Sequence, residues 1–375
     1  MLFEIPESVH YFNMAGMSPL PRRTRIVGEA AVGIKSSPWN LNVPFEFFEQ
    51  TDHARMLFAR LIGARAQDIA LIPSATYGVS AAAKNLSLKQ GDEVLLMAEE
   101  FPALYYPLRR VCLDNGATLV TVTTRQGQSW TEAILETISS RTKAVGISPC
   151  HWTDGAQVDL QAIRQSTRKV GAQMIVDGCQ WVGAVPFNCR EIEPDHLIVP
   201  TYKWMLGPYS FGFHYVAPHL QGGAQIEEYW ASKAGADDFS KLVAYSDDFQ
   251  SGARRFDMGE RSNLILLPMA MESMRLLLEL TPEKIAAQLK PKIEELAAAA
   301  AELGLVIPEK SARSPHMLGI RRSSGWRPGL PDRLQEAGVH VSFRGDCMRV
   351  SPHLHINQQN MNALIRCLEN EASPR

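Results

Sequence analysis

The chain has 375 residues, a formal net charge of -2 and 45% hydrophobic residues. This length predicts two domains, or one large domain with an appendage. The near-neutral charge argues against a nucleic-acid partner or a membrane surface, and no apolar run is long enough to span a bilayer. The N-terminal residues do not resemble a secretory signal, and the six cysteines lack the spacing of zinc sites. We therefore expect a cytoplasmic protein with free thiols and no metal.

Between about residues 68 and 216, short apolar runs alternate with amphipathic stretches. This alternation predicts an α/β large domain, with a mostly parallel seven-stranded sheet flanked by helices. The predicted strands are Ile69–Pro73, Glu93–Met97, Thr118–Val122, Ala144–Ser148, Gln173–Asp177, His196–Pro200 and Gly212–Val216. The helices predicted between them include Tyr77–Leu86, Tyr105–Asn115, Thr131–Ser139 and Leu160–Gly171.

The pattern changes after residue 257. A long apolar helix is predicted from about Leu264 to Leu280, followed by an Ala-rich helix that ends near Gly304. Thr281 is the expected N-cap of this second helix and Pro282 its first residue. The remainder predicts a smaller α+β domain. Its predicted elements are strands near Met317–Arg321, Val339–Phe343 and Met348–Ser351 and a final helix after Asn357.

A lysine follows the predicted strand His196–Pro200. Lys203 is separated from the next strand by the turn Gly207-Pro208. This position puts its amine at the carboxyl edge of the sheet, where open α/β sheets bind ligands. A desolvated lysine amine there can form an imine with an aldehyde. Because most lysines are solvated surface charges, the neighbouring motifs decide the interpretation.

An aspartate, Asp177, ends the predicted strand before Gly178. Pyridoxal 5′-phosphate (PLP) carries an aldehyde and needs an acid beside its pyridine nitrogen, because a protonated ring is the better electron acceptor. An aspartate at this position is otherwise an N-cap or a turn residue. Together, Lys203 and Asp177 predict a PLP enzyme that acts on an amino acid.

Three further segments supply the remaining groups. Ser74-Ala75-Thr76 stands between a strand and a helix, where backbone amides and hydroxyls bind phosphate, and Thr201 can add a hydroxyl. Phe101 offers a ring to stack on the pyridine, although it is equally typical of a core residue. In the small domain, a strand-borne arginine suits a substrate carboxylate. Arg349 is the first candidate and Arg344 the second, the alternative being a solvated edge residue.

These segments, in this order, resemble the class V aminotransferase family of PLP enzymes, which also contains cysteine desulfurases and isopenicillin-epimerase-like proteins. The resemblance runs from Tyr11-Phe-Asn13-Met-Ala15 to Arg349–Asn357. It implies PLP fold type I and a homodimer with the site near the interface. It also implies residues 1–20 as a segment packing with the small domain and active site, residues 21–260 as the large PLP-binding domain, and residues 261–375 as the small domain.

The resemblance further implies a role for each site residue. Lys203 would hold the cofactor as a Schiff base, and Asp177 would pair with the pyridine nitrogen. The other cofactor-binding residues would be Gln180 at the phenolic oxygen, Ala75, Thr76 and Thr201 at the phosphate, Phe101 on the ring and Trp152 lining the site. The substrate carboxylate would lie on Arg349, and the neighbouring substrate-binding residues would be Asn13, Ala15 and Arg344.

Two departures from the family bear on the reaction. Cys347 lies two residues before Arg349, so strand alternation puts both on one face, whereas desulfurases carry their nucleophilic cysteine on a loop. Glu260 replaces a threonine that, in relatives, contacts the neighbouring subunit's phosphate. The candidate donors in its place are Arg261, Ser262 and Asn263.

We expect a PLP-dependent aminotransferase in which Lys203 acts as general base. Epimerisation and β-elimination, as in a lyase or desulfurase, stay open on the same residues. From another class, a non-catalytic PLP-binding protein is the alternative; a nucleotide-dependent oxidoreductase is disfavoured, since no GxGxxG follows an early strand. The expected partners are an amino acid substrate and a second copy of the chain, with no nucleic acid and no membrane.

Overall fold

The computed structural model describes residues 2–372. Met1, in the predicted N-terminal segment, and residues 373–375, in the predicted small domain, lie outside the described residues. The strands of this part are β1 His10–Tyr11, β2 Ile69–Ile72, β3 Glu93–Met97, β4 Thr118–Val122, β5 Thr142–Ile147, β6 Gln173–Asp177, β7 His196–Pro200, β8 Gly212–Val216, β9 Leu318–Ile320, β10 Val339–His340, β11 Ser342–Arg344 and β12 Cys347–Val350. The α-helices are α1 Arg22–Val32, α2 Gln50–Ile62, α3 Ala75–Lys84, α4 Pro102–Asn115, α5 Trp130–Thr137, α6 Leu160–Val170, α7 Cys189–Ile192, α8 Leu266–Leu280, α9 Pro282–Glu302, α10 Leu330–Glu336 and α11 Gln358–Ala372.

Seven strands form the central sheet in the order β2-β8-β7-β6-β5-β3-β4. Strand β8 is antiparallel to both of its neighbours, and the other pairs are parallel. The predicted α/β class and mostly parallel seven-stranded sheet are therefore confirmed. Leu95 and Leu96 of β3 lie in different hydrophobic cores, because successive side chains of a strand point to opposite faces. Helices α3 and α4 cover one face, and α5 and α6 cover the other.

The carboxyl ends of six strands lie along one edge of this sheet. Because β8 is antiparallel to both neighbours, β2 points the same way as β7, and the carboxyl ends of β2, β3, β4, β5, β6 and β7 lie along the same edge. Helix α3 begins there, directly after Ser74, whose side chain accepts a hydrogen bond from the Tyr77 amide at 3.2 Å. Ligands of open α/β sheets bind at this edge.

A second hydrophobic core lies in the C-terminal part, between α9, α10, α11 and the antiparallel sheet β11-β12-β9. Phe12, from the N-terminal segment, is fully buried in this core, and β1 pairs with β10. The prediction of a single strand over Val339–Phe343 is wrong. The segment divides at Val341 because its first half pairs with β1 and its second half with β12.

Helix α8 packs on α1 and α2, and its residues Leu267 and Leu277 belong to the core of the large unit. Helix α9 begins at Pro282 with Thr281 as its N-cap, which confirms the predicted start. Its residue Leu289 still belongs to the large core, whereas Ile293 belongs to the second core. A division at residues 260 and 261 stays a prediction, and the packing favours a division inside α9.

Six cysteines are free and five of them are buried. No helix between residues 2 and 372 combines the length and apolar character that a membrane crossing needs. In the same range, no group of three or more His, Cys, Asp or Glu residues is arranged to hold a metal ion.

Candidate active site

Lys203 and Asp177 lie at the ligand-binding edge of the sheet, and their exposed fractions are only 5% and 3%. The Lys203 amine lies 5.3 Å from the centroid of the Phe101 ring. The Asp177 Oδ1 atom accepts a hydrogen bond from the Cys179 amide at 2.9 Å, and within residues 2–372 its other carboxylate oxygen has no hydrogen-bond partner. Burial raises the pKa of Asp177, while the Cys179 amide and the Lys203 charge act to lower it. The pair thus combines a buried amine with a carboxylate that can accept one more proton donor.

A tight turn after β7 holds Lys203. The Thr201 carbonyl accepts from the Gly207 amide at 2.8 Å, and the Thr201 hydroxyl lies 2.6 Å from the Pro208 carbonyl oxygen and 3.0 Å from that of Phe211. A hydroxyl has one proton, so in this arrangement Thr201 donates to a backbone carbonyl. Its predicted contact with phosphate stays a prediction, and its observed contacts fasten the lysine turn.

Gln180 is connected to three other parts of the chain. Its Nε2 donates to the Ala15 carbonyl at 3.0 Å, and its Oε1 accepts from Trp204 Nε1 at 2.9 Å. The backbone carbonyl of Gln180 lies 2.6 Å from His316 Nε2, and burial lowers the pKa of His316 to about 4. The neutral imidazole therefore donates this hydrogen bond. One N–H of the Gln180 amide remains for a ligand, as its predicted role requires.

The first turn of α3 has the groups that the predicted phosphate site requires, and phosphate binding there stays a prediction. Ala75 and Thr76 are its first two residues, and Thr76 is exposed. The amides at a helix start have no partners within the helix and attract negative charge, and the Thr76 hydroxyl can add a donor. Both residues lie at the same sheet edge as Lys203.

The segment after Asp257 contains the three candidate donors to a neighbouring subunit's phosphate, and they differ in exposure and in hydrogen bonding. Arg261 is 1% exposed, and its Nε lies 3.2 Å from Asp257 Oδ2. The Ser262 hydroxyl donates to the Phe47 carbonyl at 2.9 Å. Asn263 is exposed, and its side-chain oxygen accepts a hydrogen bond from the Leu266 amide at the start of α8, which leaves its NH₂ group available. Of the three candidates, Asn263 is the exposed one, and a contact with a neighbouring subunit's phosphate stays a prediction.

Trp152 connects Phe101 with the two predicted substrate arginines. The rings of Phe101 and Trp152 meet edge to face, with centroids 5.1 Å apart. The guanidinium carbon of Arg344 lies 5.2 Å from the Trp152 ring centroid, and that of Arg349 lies 5.7 Å from it. The indole N–H donates to the Glu99 carbonyl at 2.5 Å, which fixes the ring. The structure thus brings the predicted aromatic and cationic residues into one cluster.

Arg349 carries an unused hydrogen-bonding group. It is 1% exposed, its Nη1 donates to the Trp152 carbonyl at 2.8 Å, and its Nε donates to the Ser342 hydroxyl at 3.2 Å. Its Nη2 is buried without a partner among the described residues, as is Asn13 Oδ1. Burial, together with a smaller effect of the Arg344 charge, lowers the pKa of Arg349 to about 9. An unpaired buried donor is costly, so this guanidinium is suited to a carboxylate ligand.

Two residues of the site were missed by the sequence analysis. Glu100 is buried, and its carboxylate accepts from the Phe101 amide at 2.8 Å and from the Ser148 hydroxyl at 3.3 Å. Burial, together with a smaller effect of the nearby Asp177 charge, raises the pKa of Glu100 to about 8, although the Phe101 amide opposes the shift. The thiol of Cys179 contacts the Lys203 amine, and burial raises the pKa of Cys179 to about 11. The position of Glu100 just after a strand end was the available signal.

Cys347 is fully buried. Its thiol contacts the Thr153 carbonyl at 3.4 Å, and burial raises the pKa of Cys347 to about 12. Strand pairing puts it on the same face as Arg349, as predicted, but packed against the loop after β5. Such a thiol carries almost no thiolate, which is the nucleophilic form.

The unused groups at this edge fit PLP. The free carboxylate oxygen of Asp177 can accept a pyridinium N–H, and Lys203 can reach an aldehyde beside the Phe101 ring. The start of α3 can hold the phosphate. The unpartnered Nη2 of Arg349 can hold the carboxylate of a substrate amino acid. Each group of the cofactor and substrate therefore has a matching residue, and what chemistry is done depends on the substrate.

Comparisons with known proteins agree with this geometry. The family model described as "Aminotransferase class-V" matches residues 41–346. An uncharacterized aminotransferase, YcbU of Bacillus subtilis, is 26% identical over 85% of this chain and 83% of that protein, and isopenicillin N epimerase of Streptomyces clavuligerus is 26% identical over 84% and 83%. The structure of the cystine C-S lyase C-DES with its product cysteine persulfide superposes with a TM-score of 0.88 at 19% identity, covering 97% of this chain and 98% of that one. This likeness confirms the fold expected as PLP fold type I. The chain belongs to the class-V aminotransferase family, whose members are PLP-dependent enzymes.

Proposed function

We propose that this protein is an aminotransferase that exchanges the amino group of an amino acid with a 2-oxo acid, with PLP as its cofactor. The observation that carries the proposal is the buried Lys203 amine, which faces the Phe101 ring at the sheet edge where Asp177 is buried. When bound, PLP supplies an aldehyde and a ring that accepts the electron pair released at the substrate α-carbon.

The residues of the chain divide the remaining work. Lys203 moves the proton at the substrate α-carbon, because a buried amine at the end of a flexible side chain can act as a general base. Asp177 keeps a proton on the ring nitrogen, and Gln180 donates its remaining amide N–H to the ring oxygen. Arg349 binds and orients the substrate carboxylate through its unpartnered Nη2.

The choice of transamination over sulfur transfer is supported by Cys347. A desulfurase needs a thiolate that reaches the substrate, and this thiol is fully buried, with its pKa raised to about 12 by burial. The relative YcbU, described as an aminotransferase, favours the same choice. Isopenicillin N epimerase is matched at the same identity, so epimerisation is the rival outcome that the experiment must separate.

We also propose a cytoplasmic homodimer. Tyr209 follows the lysine turn and is 62% exposed, while its ring packs against Tyr202 with centroids 4.7 Å apart. An exposed aromatic ring beside the site favours cover by a second copy, which would bring its own Asn263 to the phosphate. The free cysteines favour a reducing compartment.

Product analysis of the purified, PLP-loaded protein tests the proposal. Borohydride is expected to fix PLP on Lys203, and Lys203→Ala is expected to lower turnover by about 10²- to 10⁴-fold. The substrate amino acid should be converted to its 2-oxo acid only when a second 2-oxo acid is added as acceptor. The amount of 2-oxo acid formed should equal the amount of amino acid formed from the acceptor. Racemised substrate without a 2-oxo acid would replace the proposal with epimerisation. Release of pyruvate or sulfide without an acceptor would replace it with elimination or sulfur transfer.

A further inference from the structure

Two arginines share the face of the small sheet that meets Trp152. Strands β11 and β12 are antiparallel, with Ser342 opposite Arg349 and Arg344 opposite Cys347. Residues directly opposite each other in a pair, and residues two apart along a strand, point to the same side. The contacts agree, because both guanidinium groups lie within 6 Å of the Trp152 ring centroid and Arg349 donates to the Ser342 hydroxyl.

Neither guanidinium has a carboxylate partner in the part of the chain that the structure describes. In that part, no carboxylate oxygen of Asp or Glu lies within 4.0 Å, the limit of an ion pair, of a guanidinium nitrogen of Arg344 or Arg349. The nearby acids are already used, because Arg321 lies 3.3 Å from both Asp154 and Asp346. The hydrogen bonds that the two arginines make to described residues go to backbone carbonyls and one hydroxyl, which carry no charge.

This arrangement holds more positive charge than one substrate carboxylate can neutralise. Burial lowers the pKa of Arg344 and, more strongly, that of Arg349, whose pKa the charge of Arg344 lowers further. The two cations therefore repel each other in a partly dry pocket. A substrate with one carboxylate would satisfy Arg349 and leave Arg344 without a counter-ion.

We propose that the substrate is an amino acid with a second carboxylate on its side chain, which Arg344 binds while Arg349 binds the α-carboxylate. The inference rests on the proposed function for the α-carboxylate and adds the substrate class, the acidic amino acids. Trp152 supports both cations on its ring and also contacts Phe101, so it places the diacid beside the lysine. Arg344 is thus the residue that determines specificity.

Substrate comparison with the PLP-loaded enzyme tests this proposal. Wild-type enzyme is expected to have a higher kcat/KM for glutamate or aspartate than for norvaline, which is similar in length to glutamate but has no second carboxylate. Arg344→Gln is expected to lower the ratio of kcat/KM for glutamate over norvaline by about 30-fold or more, since losing one partner of a desolvated charge pair costs upwards of about 2 kcal/mol. Arg366→Gln, on the exposed side of α11, is the matched control and should leave the ratio unchanged.

A binding measurement gives a readout that does not need turnover. Calorimetric titration with glutarate, which has two carboxylates, should show tighter binding than with butyrate, and Arg344→Gln should remove the difference. Preference of the wild type for norvaline, or equal losses for both substrates in Arg344→Gln, would overturn the inference. Failure of the proposed function is distinguishable, because it would appear as racemised or eliminated product without a new 2-oxo acid, or as the absence of PLP on Lys203 after borohydride, while the glutarate titration still reports on Arg344.

Discussion

Asp257 is a fully buried carboxylate that lies between two buried arginines, and Asp257→Asn is expected to lower the free energy of unfolding by about 3 to 5 kcal/mol. The carboxylate is fully buried and accepts from Arg55 at 3.0 and 2.7 Å and from the Leu71 amide at 2.9 Å. The Arg261 Nε lies 3.2 Å from it. These bonds join α2, strand β2 and the segment that leads into α8.

The expected magnitude follows from what asparagine keeps and what it loses. It keeps the size of the side chain and the acceptor for Leu71, but it removes the buried charge that pairs with both Arg55 and Arg261 and turns an NH₂ donor towards a guanidinium donor. Asp52 still lies 3.3 Å from Arg55 Nε, but it is half exposed and compensates little. Removing one partner of a buried ion pair costs about 3 to 5 kcal/mol because the other charge stays buried. A native domain is stable by about 5 to 15 kcal/mol in total, so this loss is a large fraction.

Equilibrium urea denaturation of the cofactor-free protein, at one fixed protein concentration, measures the effect. Asp114→Asn is the matched control, because it removes an exposed i, i+4 pair with Arg110 on α4 and should cost less than about 1 kcal/mol. If Asp257→Asn lost no more stability than this control, the reasoning that the buried charge is essential would be refuted.

Three further predictions concern other parts of the chain. Gly183→Ala should lower the free energy of unfolding, measured by urea denaturation, by more than about 3 kcal/mol, because Gly183 has φ 103° and a Cβ atom would lie 2.3 Å from a backbone oxygen. The matched control is Gly171→Ala, which has φ 70° and open space and should lower it by about 1 kcal/mol. Equal losses in the two variants would contradict this prediction. The free energy of unfolding should fall as the pH drops from about 6.5 towards 4, because burial lowers the pKa of His196 and His316 to about 4 and that of His353 to about 3, and the unfolded chain binds protons there that the folded chain does not. Glu100, whose pKa burial raises to about 8, acts in the opposite direction, but the three imidazoles outweigh one carboxyl group. Urea denaturation at about pH 7.5 and about pH 5 checks the sign, and greater stability at the lower pH would refute it. Cys347→Ala should change kcat by less than about twofold because its thiol is protonated and packed, and a collapse of turnover would assign it a chemical role.

The large sheet could be predicted because its strands are buried on both faces and stand out as short apolar runs. The predicted strands Glu93–Met97, Gln173–Asp177 and His196–Pro200 match β3, β6 and β7 at both ends. The break at Val341 could not be predicted, because it depends on pairing with β1, more than 300 residues earlier in the chain. Helix α4 begins at Pro102 rather than at Tyr105, since the proline fits the first helical position and adds a turn.

The cluster around Lys203 was accessible to sequence reasoning where a residue type is tied to one chemical task. A lysine and an aspartate at strand ends have this property, and the structure places both at one edge. Glu100 was missed because Glu99-Glu100 looks like a solvated turn, and only the fold shows that the second carboxylate is buried against Ser148. The absence of a carboxylate partner for Arg344 among residues 2–372 is likewise a property of the folded chain.

The backbone of Ala15 connects the C-terminal unit to Gln180 in the large unit through two hydrogen bonds. The amide of Ala15 donates to the Ser351 hydroxyl in the C-terminal unit at 3.0 Å, and its carbonyl accepts from Gln180 in the large unit. If the C-terminal unit rotates to enclose a substrate, it must pull this peptide along or break one of the two bonds. Movement of the peptide would shift the Gln180 amide, whereas a break of either bond would leave it in place, so Ala15 couples domain closure to the atom expected to touch the cofactor ring only while both bonds hold. Shortening the N-terminus past this residue would uncouple the two.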